Sequence, residues 1–237
     1  PPATTPTTTR RGPSGSEDPL ELKESRCAAL YAKALESQVG GDLVQAVSLY
    51  QQVLSSDLFR EDAVVNNGDE RPEPIKLSSQ SLKLKYLSLK NLGEIQALLG
   101  DKSSAMQNLL LATDIDDTDV IVLARLGRLA LENGDAGFAR KVLVRAMALQ
   151  STYWPAIEQY ALVLYVNGDY ELCEEFIHTH ALGTDPNWIH GYVLLAQCEF
   201  ERNQNKFINN EGGTTNRRDR TYNKFHALTV VLDALAA

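Results

Sequence analysis

Residues 91–112, NLGEIQALLGDKSSAMQNLLLA, and residues 125–146, RLGRLALENGDAGFARKVLVRA, decide the fold when laid one above the other. Each has a Gly-Asp pair near its centre, Gly100-Asp101 and Gly134-Asp135, and Gly168-Asp169 follows at the same interval of 34 residues. Gly41-Asp42 stands 59 residues before Gly100, which is one interval plus an insertion of 25. A glycine ends a helix well because its left-handed backbone meets no Cβ clash. An aspartate just after it can cap the next helix by accepting backbone N–H bonds. One dipeptide therefore stops a helix and starts another.

Two helices so joined must cross closely, which predicts small residues at fixed distances from each glycine. Five residues after it stand Ala46, Ala105, Ala139 and Cys173, and seven before it stand Ala34, Gly93, Gly127 and Ala161. Nine after it stand the large residues Tyr50, Leu109, Leu143 and Ile177. Twelve after it stand Val53, Ala112, Ala146 and His180, of which only His180 does not fit a packed position. A 34-residue period with these small and large positions resembles the tetratricopeptide (TPR) repeat, a pair of antiparallel helices. The expected fold is all-α, a TPR-type α-α superhelix of about four repeats plus a partial fifth. Where such repeats usually carry proline, this chain has Leu58, Asp117, Ser151 and Asp185, with Pro186 one place late. A fifth first helix is expected from about Asn187 to Arg202, with Leu195 and Ala196 at close-packing positions.

Outside the repeats the composition changes. Residues 1–19 are rich in proline and threonine with almost nothing apolar, and are expected to be disordered. The solenoid is expected over 20–203, interrupted at about 59–81 by a loop carrying Asn66-Asn67-Gly68-Asp69, Pro72 and Pro74. A polar linker over 204–220 and a capping helix over 221–237 complete the expected organisation. The chain begins at Pro1 and reads as a fragment.

The net charge of −8 argues against direct binding of nucleic acid and allows a basic protein partner. Three cysteines without a pairing motif suit a reducing compartment. No apolar run approaches the ~20 residues of a membrane span. No phosphate loop, dinucleotide fingerprint or nucleophile elbow is present, so neither catalytic residue nor cofactor is expected. His178 and His180 are two apart and point to different sides of a helix, which disfavours a metal site. Cys173 occupies a packing position, which favours core over nucleophile. Trp154-Pro155 reads as a helix start with the tryptophan packed at a repeat junction. In the acidic run Asp114–Asp119, helix capping is favoured over contact with a basic histone segment.

The TPR resemblance implies ligand binding on a concave face lined by the first helix of each repeat. Its positions fall here on Tyr31 and Leu35, Lys90 and Glu94, Arg128 and Glu132, and Glu158, Leu162 and Tyr165. The carboxylate clamp that holds chaperone tails in some such proteins is matched only at Asn91 and Arg125. Tyr31, Leu35 and Ile121 replace its other members, so a chaperone-tail co-factor is disfavoured.

LKLKYLSLKNLGEI (82–95), DDTDV (116–120), YWPAIEQYALVLYVNGDYELC (153–173) and the insertion carrying GDE (68–70) point to a narrower kinship. Over roughly residues 25–190 they resemble the N-terminal TPR region of the Cabin calcineurin-binding family, whose fungal counterpart belongs to the HIR histone-regulator complex. The resemblance implies a nuclear scaffold subunit of a HIRA-type histone chaperone complex, which assembles nucleosomes independently of DNA replication. Its implied partners are other subunits of that complex, with histones bound indirectly. A TPR adaptor or co-chaperone of another pathway is the alternative. Calcineurin inhibition belongs to a different region of the animal protein and is not implied.

Overall fold

The structure, a computed structural model, describes residues 19–59, 64–65, 73–74 and 77–208. Nearly all of the expected disordered tail, much of the insertion, the linker beyond Ile208 and the expected capping helix lie outside the described residues. The chain divides into two compact units, Pro1–Leu84 and Lys85–Ala237.

In the first unit α1 (Pro19–Val39) and α2 (Leu43–Leu54) form a helical hairpin. Gln38, near the end of α1, accepts a 2.8 Å bond from the Tyr50 hydroxyl, while Cys27 near its start meets Ser56 beyond α2, so the helices are antiparallel. Ala34, Ala46, Tyr50 and Val53 are fully buried, as the spacing predicts. The insertion holds a feature that the sequence reading missed. Val64–Val65 (β1) and Glu73–Pro74 (β2) pair as a short antiparallel ribbon. Two residues per strand are too few to show an alternating pattern. Leu58 and Phe59 pack with Cys27 and Val53 in a small core that Leu77 and Leu84 also touch. Glu24 on α1 accepts bonds from the hydroxyls of Ser78 and Ser81, which ties the end of the insertion to the first helix.

The helix α3 (Ser79–Leu98) begins before the boundary between the units and continues into the second. There follow α4 (Lys102–Ile115), α5 (Val120–Glu132), α6 (Ala136–Leu149), α7 (Trp154–Asn167) and α8 (Tyr170–Phe176). A five-residue π turn over Ile177–Ala181, the short α9 (Leu182–Thr184) and α10 (Ile189–Ile208) end the described chain. Gly41, Gly100, Gly134 and Gly168 all have positive φ, between 76° and 85°. In each case the following aspartate N–H reaches back to a helix carbonyl, as Asp101 does to Gln96 at 2.9 Å, closing a Schellman turn. The side chains of Asp42, Asp101 and Asp135 accept from the third N–H of the next helix.

Asp169 departs from that pattern, and the expected cap is absent. Its carboxylate instead accepts a 2.9 Å bond from Arg140 on α6, so the side chain joins two repeats rather than capping α8. A second departure explains His180. The π turn takes one residue more than an α-helical turn, so Ala181 is buried where His180 was expected and His180 is exposed. The same added residue accounts for Pro186 standing one place late. By α10 the added residue has been taken up, since Gly191 and Cys198 are buried 34 residues after the buried Ile157 and Leu164. α10 extends past the expected end at Arg202, and its Leu195 is half-buried while Ala196 is exposed. In earlier repeats a second helix covers the close-packing position, and among the described residues no second helix follows α10.

Close crossing accounts for the small residues. A Cβ on Gly93 would come within 2.8 Å of Leu109, and one on Gly127 within 2.5 Å of Leu143. Trp154 starts α7, Pro155 lies in its first turn, and the Trp154 ring meets Trp188 edge-on at 5.3 Å, which is the expected junction packing.

Candidate functional site

The residues expected on a concave face are mostly tied to one another. Asp119 is the hub. One carboxylate oxygen accepts from the N–H groups of Ile121 (2.9 Å) and Val122 (3.2 Å) and so caps α5. The other accepts from Lys90 on α3 at 2.6 Å and from the Tyr86 hydroxyl. Burial acts to raise the Asp119 carboxyl, but the bonds from Lys90, Tyr86 and Val122 outweigh it and hold it below its ordinary range. The Tyr86 hydroxyl is pushed well up, first by burial and then by its bond to the Asp119 carboxylate. Sequence reading found Asp119 as a cap and Lys90 as a surface residue. It missed Tyr86, four positions before Lys90 on the same helix face.

Glu94 on α3 pairs with Arg125 on α5. Glu132 binds Lys102 at 2.8 Å and Arg128 at 3.0 Å; these partners overcome the effect of burial and lower its carboxyl. Glu158 on α7 lies 3.4 Å from His190 on α10. Lys90, Glu94, Glu132 and Glu158 thus act as cross-helix ties, and the guanidinium of Arg128 remains largely exposed. Tyr165 is not on an open surface. It is buried beside Tyr170, with ring centroids 6.0 Å apart, because α8 and α10 close over it. In the first unit Tyr31 is half-buried against the Tyr50 ring and Leu35 is exposed.

Arg125, one of the two clamp matches, already holds a carboxylate of its own chain. The acidic run is also engaged: Asp116 accepts from Thr118, and Asp117 pairs with Arg145 on α6. Cys173 is buried and donates to the Ala161 carbonyl at 3.3 Å. Its thiol is pushed far up by the neighbouring Cys198 and by burial, which is the reverse of an activated nucleophile. His180 stacks on Phe176 with its Nδ1 2.7 Å from the Thr179 hydroxyl. Among the described residues no three His, Cys, Asp or Glu side chains are grouped to hold a metal, and no helix is long and apolar enough to cross a membrane. Beside the π turn a cavity of about 220 Å³ is lined by Arg140, Tyr160, Leu164, Phe176 and His180 among others.

Solved structures place the fold. MamA is similar at 18% identity and a TM-score of 0.59, covering 85% of this chain and 89% of its own. YrrB, described as a TPR protein with an unusual peptide-binding site, is similar at 13% identity and a TM-score of 0.58, covering 92% and 96%. At such identities the likeness concerns the fold alone, an all-α TPR-type solenoid. The model of the CABIN1 N-terminal domain matches residues 24–188, which is more than half of the chain. The chain belongs to the CABIN1 N-terminal domain family.

Proposed function

We propose that this protein is a protein–protein interaction scaffold, and specifically a nuclear subunit of a HIRA-type histone chaperone complex acting in replication-independent nucleosome assembly. One observation carries the reading: the match to the CABIN1 N-terminal domain runs through the repeats from residue 24 to residue 188. The charge arrangement supports a scaffold role. Ties such as Lys90–Asp119 and Glu94–Arg125 join successive first helices and stiffen the repeat stack, leaving the rims of Arg125 and Arg128 for contact. In this reading the partners are other subunits of the complex, histones are held indirectly, and no cofactor, catalysis, membrane or direct nucleic-acid contact is involved.

Affinity purification of the tagged protein from nuclear extract tests this. Co-recovery of histones and a WD-repeat subunit is the expected result. Recovery of heat-shock chaperones alone overturns it in favour of an adaptor or co-chaperone.

A further inference from the structure

The cavity of about 220 Å³ beside the π turn lies away from the expected concave face. On α7 its walls are Tyr160 and Leu164, whereas Glu158 and Leu162 belong to the concave set. Two residues turn an α-helix by about 200°, so the two pairs face opposite sides. The other walls come from α6, α8 and the π turn.

The 34-residue period shows why a hollow exists at this junction. One interval before Arg140 stands Met106, and one interval before Tyr160 stands Leu126. Met106 packs against the buried cores and Leu126 is fully buried. Arg140 instead reaches Asp169 at 2.9 Å, and Tyr160 is left half-buried. Tyr160 meets Phe176 edge-on with ring centroids 5.0 Å apart. His180, which the π turn puts outside the core, stacks on Phe176 at 4.9 Å. Three rings thus gather around a space that earlier repeats fill.

Charge selects what enters it. Arg140 and Glu175 bring the formal charges to the lining, and Arg140 is already answered by Asp169. Glu175 is exposed, and among the described residues no cation pairs with it. Glu171, four residues earlier and so on the same helix face, is also exposed and unpaired among them. One interval before Glu175 stands Lys141, so this carboxylate belongs to the junction and not to the repeat pattern. An acidic occupant would face Glu175 and find the charge of Arg140 already engaged. A cation would find a free carboxylate beside aromatic rings, whose faces attract positive charge. We propose that this cavity takes a lysine or arginine side chain from a basic segment of a protein partner. Its apolar stem lies along Leu164 and Leu172, and its charge meets Glu175 and the rings of Tyr160 and Phe176. The proposal rests on the scaffold role and not on the pathway, so a purification that recovers only heat-shock chaperones leaves it standing.

Fluorescence anisotropy of a labelled nine-residue peptide of alternating glycine and lysine, titrated with the full chain, tests it. Saturable binding is expected. Tyr160→Leu removes a ring, restores the residue type one interval earlier and keeps the net charge; it should weaken binding about fivefold. Glu175→Gln should weaken it about threefold. Glu36→Gln, the same charge change at an exposed position on α1, should leave it unchanged. Peptides with leucine or glutamate in place of lysine should bind more weakly. Since Glu175 is exposed, its variant carries the test even where Tyr160→Leu disturbs the core. No saturable binding, unchanged affinity in Glu175→Gln or in folded Tyr160→Leu, equal losses in Glu175→Gln and Glu36→Gln, or leucine or glutamate peptides binding as tightly as lysine would each overturn it.

Discussion

Gly100 and Gly127 are glycines for different reasons, and substitution separates them. Gly100 has φ 85° with nothing within 4 Å of a built Cβ, so Gly100→Ala costs only backbone strain, about 1–2 kcal/mol. Gly127 sits inside α5, where alanine would gain about 1 kcal/mol of helix propensity. The Cβ would also meet Leu143 at 2.5 Å, and overpacking costs about 1–3 kcal/mol. Gly127→Ala is therefore expected to be destabilising, and Gly127→Ala with Leu143→Val to recover part of the loss, whereas Leu143→Val should not help Gly100→Ala. Chemical denaturation of the four variants decides this. The sequence made both glycines legible because each repeats at the 34-residue interval. Asp169 was misread for the same reason: its position predicts a cap, and only the approach of Arg140 from α6 shows otherwise.

At the scale of the element, Asp119 fixes the start of α5 by capping it and tying it to α3. Its carboxyl is held below the ordinary range, so the stability it contributes is full above the ordinary aspartate pKa of about 3.9 and is lost as pH falls through the lower folded value. Asp119→Asn keeps a good capping residue but removes the charge that Lys90 and Tyr86 bind. It is expected to cost about 1–3 kcal/mol at pH 7, with the gap to the parent narrowing under acid; a gap unchanged down to pH 3 would contradict this. The π turn gives a further expectation. Deleting Thr179 removes the additional residue, lets the helix continue in α form and keeps Ala181 on the core side. Thermal unfolding should then show little or no loss of stability, unlike deletion of an equivalent residue from α6. The sequence carried traces of this turn, in a histidine at a packed position and a proline one place late. No single-residue propensity marks where a helix will absorb an added residue, so the two traces could not be joined without the backbone.

From α5 to α10 the repeats share one core, while Ala105, Leu109, Val122, Leu126 and Leu129 form a second cluster between α4 and α5. Leu123, Leu131, Leu143, Leu164, Ile177 and Leu194 belong to a single buried cluster running from α5 to α10. In such a chain stability is a sum of repeats and of interfaces between neighbours. Leu143→Ala should cost about 2–5 kcal/mol, and its effect on hydrogen exchange should spread to α5 and α7 rather than stay within α6. Exchange confined to α6 would mean that the repeats unfold separately. The fold was legible at this scale because periodicity reports packing. The candidate face was only partly so. Helix position identifies which residues share a side, as with Lys90 and Glu94, but says nothing of whether a neighbouring helix answers them. That is why Tyr165, placed on the face by counting, is buried beneath Tyr170.

One consequence of α8 concerns force. It is the shortest of the main helices, starts without a side-chain cap and runs directly into the π turn. Its neighbours α6 and α7 are twice as long, and α6 begins at a capped aspartate. A scaffold held at both ends carries tension along its chain, and extension begins where a turn can lengthen at the least loss of hydrogen bonds. In this protein that place is the join between α8 and the π turn. Arg140, by holding Asp169 at the start of α8, restrains that helix from its other end: pulled between its ends, a chain with Arg140→Ala should yield at lower load.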